Sequence, residues 1–218
     1  RRSLTGINIE QFPNGKWKEN CYIVSNEKKD ALIIDPGGDE KNIINFIKDN
    51  YLNVSAILNT HAHYDHVGAI SKLKKEFLIP LFLHSKDKKL LKAANLYAKL
   101  FEGTELIKIP TIEYYFDQID TQTSITGFSI EVLFTPGHTW GSVCLLIEDC
   151  LFTGDTLLHG KIGRVDLPGG DEQALNKSLK IISKLPNQTN IYPGHGSSST
   201  IGHELKYNNS FIQAIKWA

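Results

Sequence analysis

The residues best suited to chemistry lie in one short stretch, residues 61–66, which has the sequence HAHYDH and holds three imidazoles and one carboxylate. Side chains alternate along an extended backbone, so His61 and His63 point to the same side. Asp65 and His66 follow where the chain leaves that extended segment. This spacing predicts a loop that offers two imidazoles to one metal ion and a carboxylate with an imidazole to a second ion.

The elements on either side place this stretch between a strand and a helix. The apolar, β-branched segment 54–58 indicates a buried strand. Residues 67–77 have the apolar spacing of a helix. Loops positioned by such elements usually carry the chemistry of an α/β protein, so we expect the functional site at this junction.

Three further ligand-type residues share one context. His138, Asp155 and His195 each follow a glycine at the end of an apolar, strand-like segment. Glycine lets the backbone turn sharply and approach its neighbours closely. If these strands are neighbours in a sheet, their ends converge with the histidine loop on one edge. A single loop histidine is more often an ordinary hydrogen-bonded residue, but five histidines and two aspartates in this pattern favour a centre for two divalent metal ions.

The rest of the chain alternates between strand and helix patterns. Strand-like segments are residues 7–12, 21–24, 31–34, 81–83, 129–134, 143–147, 151–152 and 190–192. Helical patterns cover residues 86–101, 172–184 and 203–217, and a helix with apolar residues at Ile43, Ile44, Phe46 and Ile47 is predicted to be capped by Asp39. Residues 108–120 have an irregular, aromatic pattern, and residues 160–170 form a glycine-rich loop. We predict one α/β domain spanning residues 1–218.

The bulk composition is that of an ordinary globular protein, with 41% hydrophobic and 22% charged residues in a chain of 218. The 24 basic and 24 acidic residues balance, so the overall charge gives no attraction to nucleic acid or to an anionic membrane surface. No apolar run approaches the roughly 18 residues that indicate a membrane-spanning helix. We therefore expect a small-molecule partner, no nucleic acid and no membrane.

Three cysteines, Cys21, Cys144 and Cys150, lie in apolar, strand-like settings without C-x-x-C spacing. This pattern predicts buried thiols in a reducing compartment and hence a cytoplasmic location. Arg1 and Arg2 precede polar sequence and not the apolar core of a signal peptide. Because the sequence begins at Arg1 and not at methionine, a removed targeting segment and an organellar location stay open.

Together, these motifs resemble the metallo-β-lactamase superfamily and, within it, the short, single-domain glyoxalase II-like hydrolases. The matching pieces are N-C-Y at 20–22, I-D-P-G at 34–37, T-H-A-H-Y-D-H-V-G at 60–68, T-P-G-H-T at 135–139, F-T-G-D at 152–155 and Y-P-G-H-G at 192–196. They follow the family's order and span nearly the whole chain. The resemblance implies an αββα sandwich with its metal site on one edge of the two sheets.

The resemblance also assigns the ligands. It implies that the first metal ion is held by the imidazoles of His61, His63 and His138. The second ion would be held by the carboxylate of Asp65 and the imidazoles of His66 and His195. Asp155 would bridge both ions. Zinc is the expected metal, and iron or manganese suits the same ligands. β-Lactamases of this fold tend to carry another residue, often cysteine, in place of Asp155, so the full ligand set favours the hydrolase branch.

Residues outside the ligand set are expected to shape the substrate site. The loop 160–171 is similar to the G-R-x-D loop of short glyoxalase II-like proteins and of persulfide dioxygenases. Lys161 is a candidate to attract an anionic substrate, and His159 a candidate to line a pocket near Asp155. For Arg164 the favoured role is an ion pair with Asp166 that shapes the loop, with direct substrate contact as the alternative.

Two further expectations concern support and specificity. Asp35 either holds a ligand or loop by hydrogen bonds or simply forms the turn before Pro36. His84 and His203 have no such context and are expected to be ordinary histidines. About 23 residues follow His195, so the C-terminal helical extension with which glyoxalase II helps hold glutathione is expected to be missing or reduced. Glutathione specificity is therefore not implied.

The leading functional hypothesis is a hydrolase of small thioesters such as S-D-lactoylglutathione. Metal ions would lower the pKa of a bound water from 15.7 toward roughly 7, and Asp65 with Asp155 would hold and orient the resulting hydroxide. A thiolate leaving group needs little protonation, so no separate general acid is required. The alternative is an iron-dependent persulfide dioxygenase of the same fold, with one iron held by His61, His63 or His138 and Asp155. The third hypothesis is a non-enzymatic or nucleic-acid-processing member of the same superfamily, and the balanced charge argues against it.

Overall fold

Two six-stranded sheets dominate the structure, a computed structural model that describes residues 6–103 and 107–218. The strands of the first sheet lie side by side in chain order: β1 (Ile7–Asn14), β2 (Glu19–Asn26), β3 (Asp30–Ile34), β4 (Asn53–Leu58), β5 (Leu81–Leu83) and β6 (Tyr114–Tyr115). The remaining strands are β7 (Gln122–Ile125), β8 (Phe128–Phe134), β9 (Val143–Ile147), β10 (Cys150–Gly154), the hairpin strands β11 (Leu157–Leu158) and β12 (Lys161–Ile162), β13 (Asn190–Pro193) and β14 (Ser199–Thr200).

Strand direction differs between the halves of each sheet. In the first sheet β3 to β6 run parallel, while β1 and β2 form an antiparallel edge. The second sheet has the order β14-β13-β10-β9-β8-β7 and is antiparallel except for the parallel pair β10 and β13. Parallel neighbours bring their carboxyl ends to the same edge, which is where the predicted ligands follow β4, β10 and β13.

Helices cover the outer faces of both sheets. They are α1 (Glu40–Asp49), α2 (Ile70–Phe77), α3 (Lys88–Lys92), α4 (Ala94–Glu102), α5 (Glu172–Ile182), α6 (Ile201–Tyr207) and α7 (Asn209–Trp217). Among the described residues no helix combines the length and the apolar character needed to cross a membrane. Cys21, Cys144 and Cys150 are buried free thiols.

The core lies in three layers, because strand side chains alternate between the faces of each sheet. In β3, Leu32 packs between the two sheets while Ile33 packs against helices, and both are fully buried. The inter-sheet layer joins Phe128 and Phe152 of the second sheet to side chains of the first. The outer layers hold α1 and α2 on one side and α5, α6 and α7 on the other. This arrangement confirms the predicted αββα sandwich.

The prediction of one continuous helix over residues 86–101 is wrong, because the segment is divided into separate elements. Residues Ser85–Asp87 form a 3₁₀ turn, and the helix that follows breaks at Ala93, which has φ −89° and ψ 1°. Leu90 and Leu91 before the break are buried, whereas Phe101 near the end of α4 is 48% exposed. Phe101 therefore lies outside the core, contrary to the single apolar face predicted for this segment.

The C-terminal helix predicted for residues 203–217 is also divided, because Asn208 interrupts it. The Asn208 Oδ1 accepts from the Phe211 backbone N–H at 3.1 Å and caps α7. Its Nδ2 donates to the Lys161 carbonyl at 3.0 Å and to Glu204 Oε2 at 2.7 Å. A side chain that begins a new helix and reaches the hairpin of β11 and β12 cannot lie inside one continuous helix.

Three smaller expectations need correction as well. Asp39 does precede α1, but it has a left-handed φ of 55° and makes no side-chain cap; its carboxylate accepts from Asn42 Nδ2 at 2.7 Å instead. The irregular stretch 108–120 contains β6 and a 3₁₀ turn at Phe116–Gln118. The glycine-rich loop 160–170 contains β12, paired antiparallel with β11.

Candidate metal centre

The predicted ligands converge on one edge of the sandwich and come from both sheets. Residues 61–66 follow β4 of the first sheet. Asp155 and His195 follow the parallel neighbours β10 and β13 of the second sheet, and His138 follows β8. Backbone hydrogen bonds join the two sheets here: Val143 N donates to the Thr60 carbonyl at 2.9 Å. Strand topology therefore brings together residues that are far apart in sequence.

The first ligand triad consists of imidazoles alone. The ligand-type atoms of His61, His63 and His138 lie within 4.8 Å of one another. Their ring centroids are 4.6 to 4.9 Å apart, and the rings stand nearly perpendicular in pairs. All three residues are buried. Three imidazoles that face one point are a ligand set typical of zinc in enzymes.

The second ligand triad contains a carboxylate. The ligand-type atoms of Asp65, His66 and His195 also lie within 4.8 Å of one another. His195 Nε2 is 3.1 Å from Asp65 Oδ2, and His66 Nε2 is 3.8 Å from the same oxygen. This triad therefore carries the negative charge that the first triad lacks.

Asp155 lies between the two triads. Its Oδ2 is 3.5 Å from His138 Nε2 and 3.5 Å from His195 Nε2, while its Oδ1 is 3.5 Å from His66 Nε2. The carboxylate thus faces one imidazole of the first triad and two of the second. A residue so placed can contact two ions at once.

Five buried atoms of these residues have no hydrogen-bond partner among the described residues. They are Nε2 of His61, His63, His66 and His138, and Oδ1 of Asp155. Buried polar atoms are almost always paired, because leaving them unpaired costs the full free energy of removing them from water. Atoms of this chemistry that cluster at one place fit divalent cations, which accept their lone pairs.

Asp35 fixes the orientation of two ligands through Thr60. Its Oδ2 accepts the Thr60 hydroxyl proton at 2.6 Å and the Nδ1–H of His66 at 3.0 Å, and its Oδ1 accepts from the Thr60 backbone N–H at 2.7 Å. Since the hydroxyl has given its one proton to Asp35, it accepts from His61 Nδ1 at 3.0 Å. Both imidazoles are therefore protonated at Nδ1 and present a free Nε2 lone pair when neutral.

Backbone carbonyls orient two more ligands in the same way. A carbonyl oxygen only accepts, so His138 Nδ1 donates to the Arg164 carbonyl at 2.8 Å, and His195 Nδ1 donates to the Trp17 carbonyl at 2.9 Å. In the neutral imidazoles Nε2 then keeps its lone pair. Four of the five predicted histidine ligands thus have the tautomer that binds a metal through Nε2.

The charge environment differs between the triads. Burial lowers the pKa of His63 to about 3, and burial also holds the pKa values of His61 and His138 below the usual range of histidine. Burial acts in the same direction on His66, but the carboxylates of Asp155, Asp65 and Glu19 outweigh it and raise the pKa of His66 well above that range. The first triad is therefore neutral at pH 7, and neutral imidazole is the form that binds metal.

The carboxylates of the centre are held in their charged form. Burial alone would raise the pKa of Asp155, but the His66 imidazole, followed by His195 and His138, brings it well below the usual value. The pKa of Asp65 is lowered in the same way, since His66 and His195 outweigh the effect of burial. Both carboxylates are thus available as anionic ligands.

The sequence analysis did not identify two residues that support the centre, Glu19 and Asn59. Glu19 is buried at the start of β2, and burial raises its pKa well above the usual value. Its Oε2 accepts from Asn14 Nδ2 at 2.8 Å, whereas its Oε1 lies 3.5 Å from His66 Nδ1 and has no hydrogen-bond partner among the described residues. Asn59 Nδ2 donates to the carbonyls of His61 and His66 at 3.2 and 2.9 Å and so fixes the loop. The adjacency of Asn59 to the histidine stretch is the one signal that could have found it.

Asp87 is a third such residue, and nothing in its local sequence indicates its role. Its carboxylate is fully buried and accepts from the backbone N–H of Ala62 at 3.0 Å, from Thr139 Oγ1 at 2.8 Å and from the Gly141 N–H at 2.7 Å. It thereby joins the histidine loop to the loop that carries His138. The path of the chain after β5 brings Asp87 between these two loops.

Glycines allow the close approach of the strand ends, as predicted. A Cβ at Gly194 would lie 2.3 Å from Asp155 Oδ1 and 2.7 Å from His66 Cε1. Gly154 has a left-handed φ of 48°, and its Cβ would lie 2.3 Å from Thr60 Oγ1. A side chain at either position would displace a predicted ligand or the residue that orients it.

A cleft of about 640 Å³ opens over the centre, lined by ligands of both triads and by residues of the loop after β12. Lys161 and Arg164 line it, and Arg164 pairs with Asp166 through two hydrogen bonds of 2.7 and 2.6 Å, as predicted for the loop. The structure does not bring His159 into this lining. It lines a separate pocket with His203, because it lies in the exposed turn between β11 and β12.

Comparisons with known proteins place the chain in a family. Residues 14–195 match the family model described as the metallo-beta-lactamase superfamily. The chain is 36% identical over 217 residues to the hydroxyacylglutathione hydrolase GloC of Haemophilus influenzae, covering 95% of this chain and 99% of that protein.

Two solved structures are similar along almost the whole chain. The crystal structure of BLEG-1 B3 metallo-beta-lactamase superposes with a TM-score of 0.89 at 36% identity, covering 94% of this chain and 99% of that one. The structure of TTHA1623, described in a di-iron-bound form, superposes with a TM-score of 0.82 at 34% identity, covering 92% and 98% of the two chains.

Proposed function

Because this chain belongs to the metallo-beta-lactamase superfamily, we propose that it hydrolyses small thioesters at a centre of two divalent metal ions. The superfamily and its hydrolase relative identify the chain as a metallo-hydrolase; the thioester substrate and the two-metal centre are our proposal. One observation carries it: beneath an open cleft, four buried imidazole nitrogens and one oxygen of Asp155 cluster without hydrogen-bond partners among the described residues. The hydroxyacylglutathione hydrolase of H. influenzae, a thioester hydrolase by name, supports the substrate class.

The residues divide into two proposed ligand sets that share Asp155. One ion would be held by the three neutral imidazoles of the first triad, and the other by the second triad. Ions bound there supply Lewis acidity and lower the pKa of water from 15.7 to about 7. Zinc is the proposed metal, and iron suits the same donors.

The chain's own groups then position the reactants. Asp65 and Asp155 hold their charge in the buried centre, so their oxygens accept hydrogen bonds from the attacking water and orient it toward the substrate carbonyl. Asp35 keeps His61 and His66 in place through hydrogen bonds. The departing thiolate needs little protonation, so the reaction needs no separate acid.

The first experiment combines metal analysis with an assay on one sample. Protein purified without added metal is analysed for zinc, iron and manganese and is then assayed with S-D-lactoylglutathione. About two metal ions per chain with cleavage would support the proposal. Two metal ions without cleavage would reject this thioester and leave the metal centre standing.

The persulfide dioxygenase alternative predicts a different result for the same sample. It requires about one iron per chain, no thioester cleavage and oxygen consumption in the presence of a thiol persulfide. The di-iron form of TTHA1623 makes the iron measurement necessary, since that structure is 34% identical to this chain. Oxygen consumption with a persulfide would replace the hydrolase proposal.

We also propose a small-molecule partner, with no nucleic acid or membrane, and a cytoplasmic location. The balanced charge of 24 basic and 24 acidic residues supports the first point, and the buried free thiols support the second. Tight RNA binding that weakens steeply with salt in a gel-shift assay would overturn the proposed absence of a nucleic-acid partner.

A further inference from the structure

One side of the cleft is built from four aromatic residues, Trp17, Tyr64, Tyr97 and Phe101, which we name the aromatic wall. Tyr64 and Phe101 stack with ring centroids 6.1 Å apart and an interplanar angle of 17°, and Tyr97 stacks on Phe101 at 6.4 Å and 20°. Trp17 Nε1 donates to the Tyr64 hydroxyl at 2.9 Å. The rings thus form one continuous surface from the turn after β1 to α4.

This wall begins at the metal centre itself. Tyr64 lies between two predicted ligands in the histidine loop, and the Trp17 carbonyl accepts from His195 Nδ1 at 2.9 Å. The Tyr64 hydroxyl also donates to Glu102 at 3.2 Å, which ties the loop to α4. A group that extends from the reacting centre along this side would therefore meet aromatic faces first.

The wall leaves much apolar surface in contact with solvent. Trp17 is 51% and Phe101 48% exposed. Other residues that line the cleft are apolar as well, among them Leu158, Ile162 and Leu167. Contiguous exposed apolar surface of this kind marks a binding site, since covering it releases ordered water and adds dispersion contacts.

Positive charge is scarce in the same cleft. Of the described residues that line it, Lys161 and Arg164 are the lysines and arginines, and Arg164 already pairs with Asp166. Only Lys161 is left to face an anion. Away from the metal centre, a ligand with two carboxylates, such as a glutathione thioester, would find one lysine or arginine side chain without an ion-pair partner among mostly apolar lining residues.

We infer that the preferred substrate carries an aromatic or bulky apolar group that packs against the aromatic wall. The inference rests on the proposed thioester hydrolysis and specifies the class of thioester. The group can belong to the acyl side or to the thiol side of the substrate, and the recognition chemistry is the same for both.

Three synthetic thioesters distinguish these two sources. The reference is S-acetyl-N-acetylcysteamine. S-phenylacetyl-N-acetylcysteamine adds a phenyl ring on the acyl side, and the acetyl thioester of 2-phenylethanethiol has a phenyl ring in place of the acetamido group on the thiol side. Each kcat/KM is divided by the rate constant of that thioester with hydroxide, which removes intrinsic reactivity. We expect at least one aromatic thioester to exceed the reference by about tenfold or more.

A matched pair of variants tests whether the wall causes this preference. Phe101→Ala should lower the ratio of aromatic to reference kcat/KM about fivefold, because the ring that stacks with both Tyr64 and Tyr97 is lost from the wall. Leu100→Ala is the control, since Leu100 is 67% exposed on the same helix and does not line the cleft. It should leave the ratio unchanged, and Phe101→Trp should restore it.

The outcomes separate this inference from the function on which it rests. If the metal-loaded protein cleaves the reference and both aromatic thioesters with a ratio near one, the inference is overturned and the thioesterase stands. An equal change of the ratio in the Phe101 and Leu100 variants overturns it as well. Cleavage of none of the three thioesters overturns the thioesterase and the inference together.

Discussion

Two clusters of histidine and carboxylate differ in ways that spacing alone does not show. One is the candidate metal centre; the other, which we name the surface cluster, consists of His159, His203 and Glu204. Its ligand-type atoms also lie within 4.8 Å of one another. The His159 and His203 rings are exposed and meet edge to face at 5.2 Å, whereas Glu204 is buried beneath them.

The difference lies in what the second atom of each ligand does. In the metal centre the Nδ1 atoms of His61, His66, His138 and His195 donate to Thr60, Asp35 or backbone carbonyls. The Nε2 atoms of four histidines are buried without a hydrogen-bond partner among the described residues. In the surface cluster the Glu204 carboxylate is already occupied by the Gly160 N–H, Asn208 Nδ2 and Ser199 Oγ. Proximity becomes a metal centre only where hydrogen bonds lock the ligands and leave lone pairs unpaired.

The largest effect is expected from Asp155→Ala. Losing the carboxylate between the triads should lower hydrolytic activity about a thousandfold, since bound metal contributes several kcal/mol to stabilising the transition state. Metal content per chain, measured together with activity, should fall as well. His203→Ala is the control and should keep both. Full metal content and activity in Asp155→Ala would show that the bridged two-metal model is wrong.

Removal of metal should lower the free energy of unfolding, because the folded state loses the ions bound at the proposed metal centre. A ligand present at about 100 times its Kd stabilises the folded state by about 2.7 kcal/mol, which corresponds to a Tm change of roughly 5–10 °C for a chain of this size. We expect thermal unfolding after treatment with a chelator to show such a fall, and added zinc to reverse it. A Tm that does not respond to chelation would contradict the assignment of the unpaired atoms to metal.

Asp35→Asn tests the role of the hydrogen bonds that lock the ligands. Asparagine tolerates the left-handed φ of 49° at this position, but its amide nitrogen cannot accept from both Thr60 and His66. We expect a loss of about 10- to 100-fold in metal affinity or activity. Asp39→Asn is the matched control, because Asp39 is exposed and has a similar φ of 55°. Equal behaviour of the two variants would mean that Asp35 merely forms a turn.

The smallest effect is expected at the surface cluster. The double variant His159→Ala/His203→Ala should keep the metal content of the wild-type protein, with activity changed less than about twofold, since substitutions at exposed sites usually have small effects. Its Tm should fall on chelation by the same amount as that of the wild-type protein. Loss of one metal ion per chain in this variant would remove the distinction between the clusters.

Local pattern in the sequence was sufficient for the α/β class and for the seven candidate ligands, whereas the αββα sandwich was implied by the resemblance to the metallo-β-lactamase superfamily. Alternation with a period of two identifies strands. Three of the proposed ligands directly follow a glycine near a strand end, and the other four lie within the six-residue stretch 61–66 after β4. The corrections fall where a remote contact overrides a local pattern. Asn208 ends a helix because it reaches β12, and the single apolar face predicted for residues 86–101 divides at Ala93.

The sequence by itself determined which chemistry this chain can do, since ligand types and their spacing are local properties. Tertiary structure decided which atoms are free to do it. Glu19, Asp87 and the aromatic wall have no local signature, because their roles depend on neighbours that only the folded chain supplies. His159 lies 4 residues after Asp155 in the sequence and His195 lies 40 residues after it, yet only His195 lines the cleft. The direction in which each strand end leaves the sheet makes that difference.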